Sequence, residues 1–139
     1  MKKRPRLGNY KLIKTIGEGN YSTVKLGEHL ETGVRYAIKV HKTPEEGLDR
    51  EDIEDILKEV RSIVKLQSHP NIVKIIEFIP ETQVHYHDGK TKQVMYVIVE
   101  EFAKGGELYQ YVADSGYFRE PIARYFFQQI VEGVGFIHS

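Results

Sequence analysis

Apolar and polar positions along this chain switch between a period of two and a period of nearly four. Over 10–16 (Tyr-Lys-Leu-Ile-Lys-Thr-Ile) and 21–29, where Val24 and Leu26 alternate with polar neighbours, the pattern predicts strands. Gly17-Glu18-Gly19-Asn20 joins them as a turn, and Glu31-Thr32-Gly33 leads to a third strand over 34–41. Thr43-Pro44-Glu45-Glu46-Gly47 breaks the sheet. A helix is then predicted from Asp49 to Gln67, because Ile53, Ile56, Leu57, Val60, Ile63 and Val64 follow in steps that keep one continuous stripe. Asp49 and Asp52 suit the positive end of its dipole, and Ser68-His69-Pro70-Asn71 stops it.

Alternation returns over 72–79 and 92–100, and Asp88-Gly89 between them is a hairpin turn signal. The segment joining these strands is longer than a turn requires, which suggests a docking insertion for a partner. After Lys104-Gly105-Gly106 the pattern becomes helical, with a short helix over 107–114. A longer one starts near Glu120-Pro121, where proline fits the first turn. Ile122, Phe126, Ile130, Val134 and Ile137 share one side of it, and Gly133 and Gly135 weaken it by about 1 kcal/mol each relative to alanine. The expected fold class is α+β: a five-stranded antiparallel sheet with one inserted helix, a linker and two helices.

Composition narrows the functional classes. With 40% hydrophobic and 29% charged residues among 139, a packed core is expected rather than disorder. Lys plus Arg equals Asp plus Glu at 20 each, so no electrostatic signal points to nucleic acid or an acidic membrane surface. The chain has no cysteine, which excludes disulfides and thiolate metal sites and suits a reducing compartment. No apolar run is long enough to span a membrane, and the basic start Met1-Lys2-Lys3-Arg4-Pro5-Arg6 lacks the apolar stretch of a signal peptide. The expected location is intracellular and cytoplasmic, with the nucleus left open, and residues 1–8 read as a flexible basic tail.

Three features carry candidate chemistry. Gly17-x-Gly19-x-x-Ser22-x-Val24 lacks side chains where backbone amides would approach phosphate oxygens. It lies between two strands, which argues against a dinucleotide-binding fold, and alone it reads as an ordinary hairpin turn. Lys39 sits in the apolar strand Ala37-Ile38-Lys39, where burial is costly unless a carboxylate pairs with it. Glu59, on the flank of the helix stripe, is the candidate partner. His85 and His87 share a strand face but no third metal ligand is near them in sequence, so no metal site is expected.

Five segments in order resemble the eukaryotic protein kinase family: Gly17-Glu18-Gly19-Asn20-Tyr21-Ser22-Thr23-Val24, Ala37-Ile38-Lys39, Glu59, His69-Pro70-Asn71-Ile72-Val73, and Glu101-Phe102-Ala103-Lys104-Gly105-Gly106-Glu107-Leu108. With Glu120-Pro121-Ile122-Ala123-Arg124-Tyr125-Phe126, the last segment looks like the calmodulin-dependent and nutrient-sensing serine/threonine groups. The resemblance implies an ATP-binding lobe with its hinge over 9–104 and the start of a helical lobe over 105–139.

It also implies roles. Gly17, Gly19 and Ser22, within the turn that includes Glu18, Asn20 and Thr23, would line the ATP phosphates, with Tyr21 at the tip as a shield from water. Ile16, Val24 and Ala37 would pack on the adenine ring. Lys39 would contact the phosphates and pair with Glu59. Glu101 and Ala103 would offer backbone groups to the adenine edge, and Glu107 would reach the ribose.

Ser22 stands where the family's third loop glycine is expected. Either Glu100 or Val99 guards the back of the adenine pocket, a site usually apolar or threonine. The catalytic aspartate and the residues that hold Mg fall beyond Ser139 in the family's order. The chain alone is therefore expected to be inactive, and the last helix is expected to expose an apolar patch. ATP, a protein substrate and a regulatory protein are the implied partners. A non-catalytic kinase-like binding module is the alternative.

Overall fold

In a computed structural model describing residues 3–66 and 68–139, six antiparallel strands close on themselves. They are β1 (Arg6–Leu7), β2 (Tyr10–Glu18), β3 (Ser22–His29), β4 (Arg35–His41), β5 (Ile75–His85) and β6 (Thr91–Glu101). Helix α1 (Arg50–Leu66) lies between β4 and β5, and α2 (Leu108–Ser115) and α3 (Glu120–His138) follow the sheet. The order round the barrel is β1-β2-β3-β4-β6-β5. The α+β architecture is as expected, with a sixth strand added. Gln67, expected as the last residue of the inserted helix, lies outside the described residues, as do Met1 and Lys2.

The sixth strand corrects the expectation of a flexible tail at Arg6 and Leu7. Leu7 is completely buried, and β1 pairs on one side with β2 (Leu7 opposite Tyr10) and on the other with β5 (Leu7 opposite Val84). One leucine entering the core and two ladders of backbone hydrogen bonds anchor this segment, and Arg4 adds a bond from its guanidinium to the carbonyl of Ile13 at 2.6 Å. The segment expected to be a docking insertion is also strand: β5 continues to His85 and pairs with β6 as far as Thr91.

The pleat divides the side chains between two cores. Leu7, Tyr10, Leu12, Ile38, Val84, Val94, Val97 and Val99 fill the barrel interior. Gly27 has no side chain where the buried Ile38 passes, and a Cβ there would collide with it. On the outer face, Ile75 and Ile98 pack against Val60 of α1. The helix starts at a reciprocal pair: the Asp52 N–H donates to the Asp49 carboxylate (2.8 Å) and the Asp49 N–H donates to Asp52 (3.0 Å). This capping box satisfies amides that the first turn leaves without partners.

Helix α3 meets the rest of the chain mainly through the loop after α1. Asn71 donates its side-chain amide to the Gln129 carbonyl at 2.9 Å and lies over Gly133, and the His69 ring rests against Phe136. His69 also braces its own loop, accepting the Asn71 N–H at Nδ1 (3.1 Å). Ile122, Ile130, Val134 and Ile137 remain exposed, as the expected apolar patch requires. Among the described residues no helix is long and apolar enough to cross a membrane.

Candidate nucleotide site

Strands β3 and β4 set the centre of the site. Val24 pairs with Lys39 and Leu26 with Ala37, so these four residues share the outer face of the sheet. On the other side of β4, Ala37 faces Glu100 and Lys39 faces Ile98. Since Ile98 packs on α1, Lys39 points toward that helix, and its ammonium lies 3.4 Å from the Glu59 carboxylate. The lysine side chain is 27% exposed and the glutamate 45%. The pair is thus wet enough to avoid the full desolvation cost of a buried ion pair, and open enough to meet a charged ligand.

The glycine turn closes above this pair. Glu18 and Thr23 end the β2–β3 ladder, one pair beyond Gly17 and Val24, and the Gly19 N–H donates to the Ser22 carbonyl at 2.8 Å. Gly19 lies at the turn and Tyr21 is exposed at its tip. A hollow of about 320 Å³ under the turn brings together Asn20, Tyr21, Ser22, Lys39 and Glu59. Asp52 and Asp55 of α1 also line it. These two were not among the sequence candidates, although Asp52, Asp55 and Glu59 follow the same helical period as the apolar stripe.

The register separates Val99 from Glu100. Val99 is fully buried inside the barrel, opposite Ile38. Glu100 lies on the outer face with Ala37 and Lys39. Burial pushes its carboxyl above the usual carboxylate range, the nearby Lys39 ammonium pulls it down and the Glu59 carboxylate pushes it up. Glu100 therefore feels both members of the Lys39–Glu59 pair, in opposite directions.

The remaining candidates are spread along the cleft. Glu101 and Ala103 border a second hollow of about 380 Å³, between residues 70–73, the linker and α3. The Glu101 N–H is committed to the Lys74 carbonyl (2.9 Å) and its side chain accepts the Lys74 N–H (3.2 Å). Ile16, Gly17, Glu18, Thr23, Val24, Ala37 and Glu107 lie outside both hollows. Ile16 is exposed, Thr23 pairs with Glu18 at the end of β2, and Glu107 precedes the first turn of α2 without a side-chain capping bond. Among the described residues no group of three or more His, Asp or Glu side chains is placed to hold a metal ion.

With this geometry in view, the comparisons agree with one another. The family description "Protein kinase domain" matches residues 10–139. The chain belongs to the protein kinase family. Serine/threonine-protein kinase SIK1 of Mus musculus is 38% identical over 135 residues, covering 96% of this chain. CBL-interacting serine/threonine-protein kinase 9 of Arabidopsis thaliana is 37% identical over 142 residues, covering 98% of it. The chain spans only 15% and 28% of the lengths of these two relatives.

Proposed function

We propose that this chain is the ATP-binding portion of a serine/threonine protein kinase, which in the complete enzyme transfers a phosphoryl group from ATP to protein hydroxyls. The observation that carries the reading is the Lys39–Glu59 pair, 3.4 Å apart beneath the glycine turn. Glu59 holds an extended lysine side chain in one direction, and the ammonium would meet phosphate oxygens that approach under Gly17–Ser22. The turn can come close because Gly17 and Gly19 have no side chains, and Tyr21 would close the outer end against water. Val24 and Ala37 would contact the adenine ring with Ile16 at its rim. Because the Glu101 N–H is committed within the protein, Glu101 would offer its carbonyl to the adenine edge, with the Ala103 backbone beside it and Glu107 near the ribose.

Mg would supply charge neutralisation between the phosphates when bound. Among the described residues no group of carboxylates or imidazoles is placed to hold it. In this reading residues 1–139 taken alone bind nucleotide without transferring its phosphoryl group. The apolar side of α3 fits a helical lobe packed against it. Residues 9–104 form the nucleotide-binding lobe with its hinge in this reading, and 105–139 begin the second lobe.

Titration of the chain with a fluorescent ATP analogue tests the reading. Saturable binding that weakens about tenfold or more in Lys39→Met is expected from loss of a charge-assisted contact. Binding that ignores this substitution, or none at all, would overturn it in favour of a non-catalytic module.

A further inference from the structure

The barrel has an open mouth at the end where β2, β4 and β5 finish and β3 and β6 begin. A cavity of about 350 Å³ lies there, and all five strands contribute to its lining. That volume falls in the range of small-molecule sites, and barrel mouths are a recurrent place for them. It neighbours the lysine–glutamate hollow, with His41 bordering both, but Thr23, Lys25 and Val40 line the mouth, whereas Lys39 and Glu59 line the hollow.

The cavity has two chemical zones. Its floor is the top of the barrel core, made by Leu12, Val40, Val84 and Val94. Its rim carries Lys14, Lys25, Lys42 and Lys92, against one carboxylate, Glu46. Glu46 engages Lys92 at 3.6 Å, and Lys25 donates to the Thr15 hydroxyl at 2.6 Å. Lys14 and Lys42 make no salt bridge among the described residues. The chain as a whole is electrically neutral, so a cluster of four cations facing one anion is a local excess rather than a reflection of composition.

We infer that the barrel mouth is a binding site for a small amphipathic anion, with its apolar body on the Leu12–Val40–Val84–Val94 floor and its carboxylate or phosphate among the rim lysines. Cationic side chains with room to converge favour a charged head, and the apolar floor gains from covering by a non-polar tail. A neutral apolar ligand would leave the lysine excess unanswered, and a bare inorganic anion would leave the floor wet. The concave site, walled by five strands, fits a dissolved small molecule better than the flat surface of a bilayer.

Occupancy would also reach the glycine turn. Thr23 and Lys25 line the cavity, while Val24 between them points to the opposite face beside Lys39. A ligand that stiffens β3 would change nucleotide affinity. This coupling rests on the nucleotide reading above, whereas binding at the mouth does not.

Calorimetric titration with octyl phosphate tests the site, with octanol and inorganic phosphate alongside. Single-site saturable binding is expected, with both comparison compounds weaker by about tenfold or more, and a loss of about tenfold or more in the double variant Lys14→Ser/Lys42→Ser. Both lysines are exposed, and circular dichroism of the variant verifies its fold. The inference is overturned by absent saturation, by octanol binding as tightly as octyl phosphate, or by affinity unchanged in the double variant. A chain that binds octyl phosphate but no ATP analogue keeps the mouth site and removes the nucleotide reading.

Discussion

Gly27 and Glu100 show opposite ways in which one side chain tunes this protein. At Gly27 the missing side chain is the contribution, because the fully buried Ile38 occupies that space and has nowhere to retreat. Gly27→Ala should destabilise the chain by about 1–3 kcal/mol, read from urea denaturation, as overpacked cores generally do. An unchanged midpoint would show that the barrel interior yields easily. Glu100 is instead a carboxyl held half-buried beside Lys39 and Glu59. Its folded state retains the proton more firmly than the unfolded chain does, so the ionised form costs stability at neutral pH. Glu100→Leu should therefore stabilise the chain at pH 7, by a few tenths to about 1 kcal/mol after water screening of a group this open. The gain should shrink as pH falls from the raised folded value toward the ordinary 4.5 and be gone below it, where the glutamate is protonated in both states. A gain that persists in acid would assign the effect to packing alone.

Among the elements, the junction between β4 and β6 was least visible in advance. Opposite Val40 the register slips by a residue, and Tyr96 adopts a left-handed backbone with φ of 49°. Its carbonyl accepts a hydrogen bond from His41 Nδ1 at 2.6 Å, tying the end of β4 to the bulge. Burial holds the His41 imidazole below its ordinary pKa, with the Tyr96 carbonyl and Glu59 opposing and Lys39 assisting. The unfolded chain takes up that proton first, so stability is intact above about pH 6.5 and falls as pH drops toward the folded value. Between pH 7.5 and 5 the wild type should lose stability more steeply than His41→Asn, which keeps an amide donor for Tyr96 but does not titrate. Parallel curves from chemical denaturation would exclude this role.

Period and turn chemistry made the rest of the elements readable. The glycine turn, the Lys39 strand and the α1 stripe all lie where alternation and helical spacing put them. The choice between Glu100 and Val99 was hidden because it depends on which residue of β6 meets Ala37, and pairing register is a long-range property. Likewise β5 was expected to end at Ile79, since Pro80-Glu81-Thr82-Gln83 has no apolar alternation. Its pairing with β6 extends the strand across these residues. Strand β1 has only two residues and one apolar side chain among basic neighbours, too little pattern for any local rule.

At the scale of the whole molecule, the two ends of the sheet meet through those two residues. Everywhere else neighbouring strands share long ladders, whereas β1 bridges β2 and β5 with two paired positions on each side. Shortening the chain to begin at Gly8 should leave the nucleotide reading's residues in place, since none of them lies in β1. It would, however, remove the bridge that closes the barrel and free the positions it pairs, Tyr10 and Lys11 on β2 and Val84 and His85 on β5, so that both edges are open along their whole length. Exposed sheet edges recruit strands from other molecules. The shortened chain is therefore expected to self-associate at lower concentration in light scattering than the intact chain, and equal scattering of the two would rule this out. Leu7, one residue among a run of charges, would then be the chain's guard against aggregation.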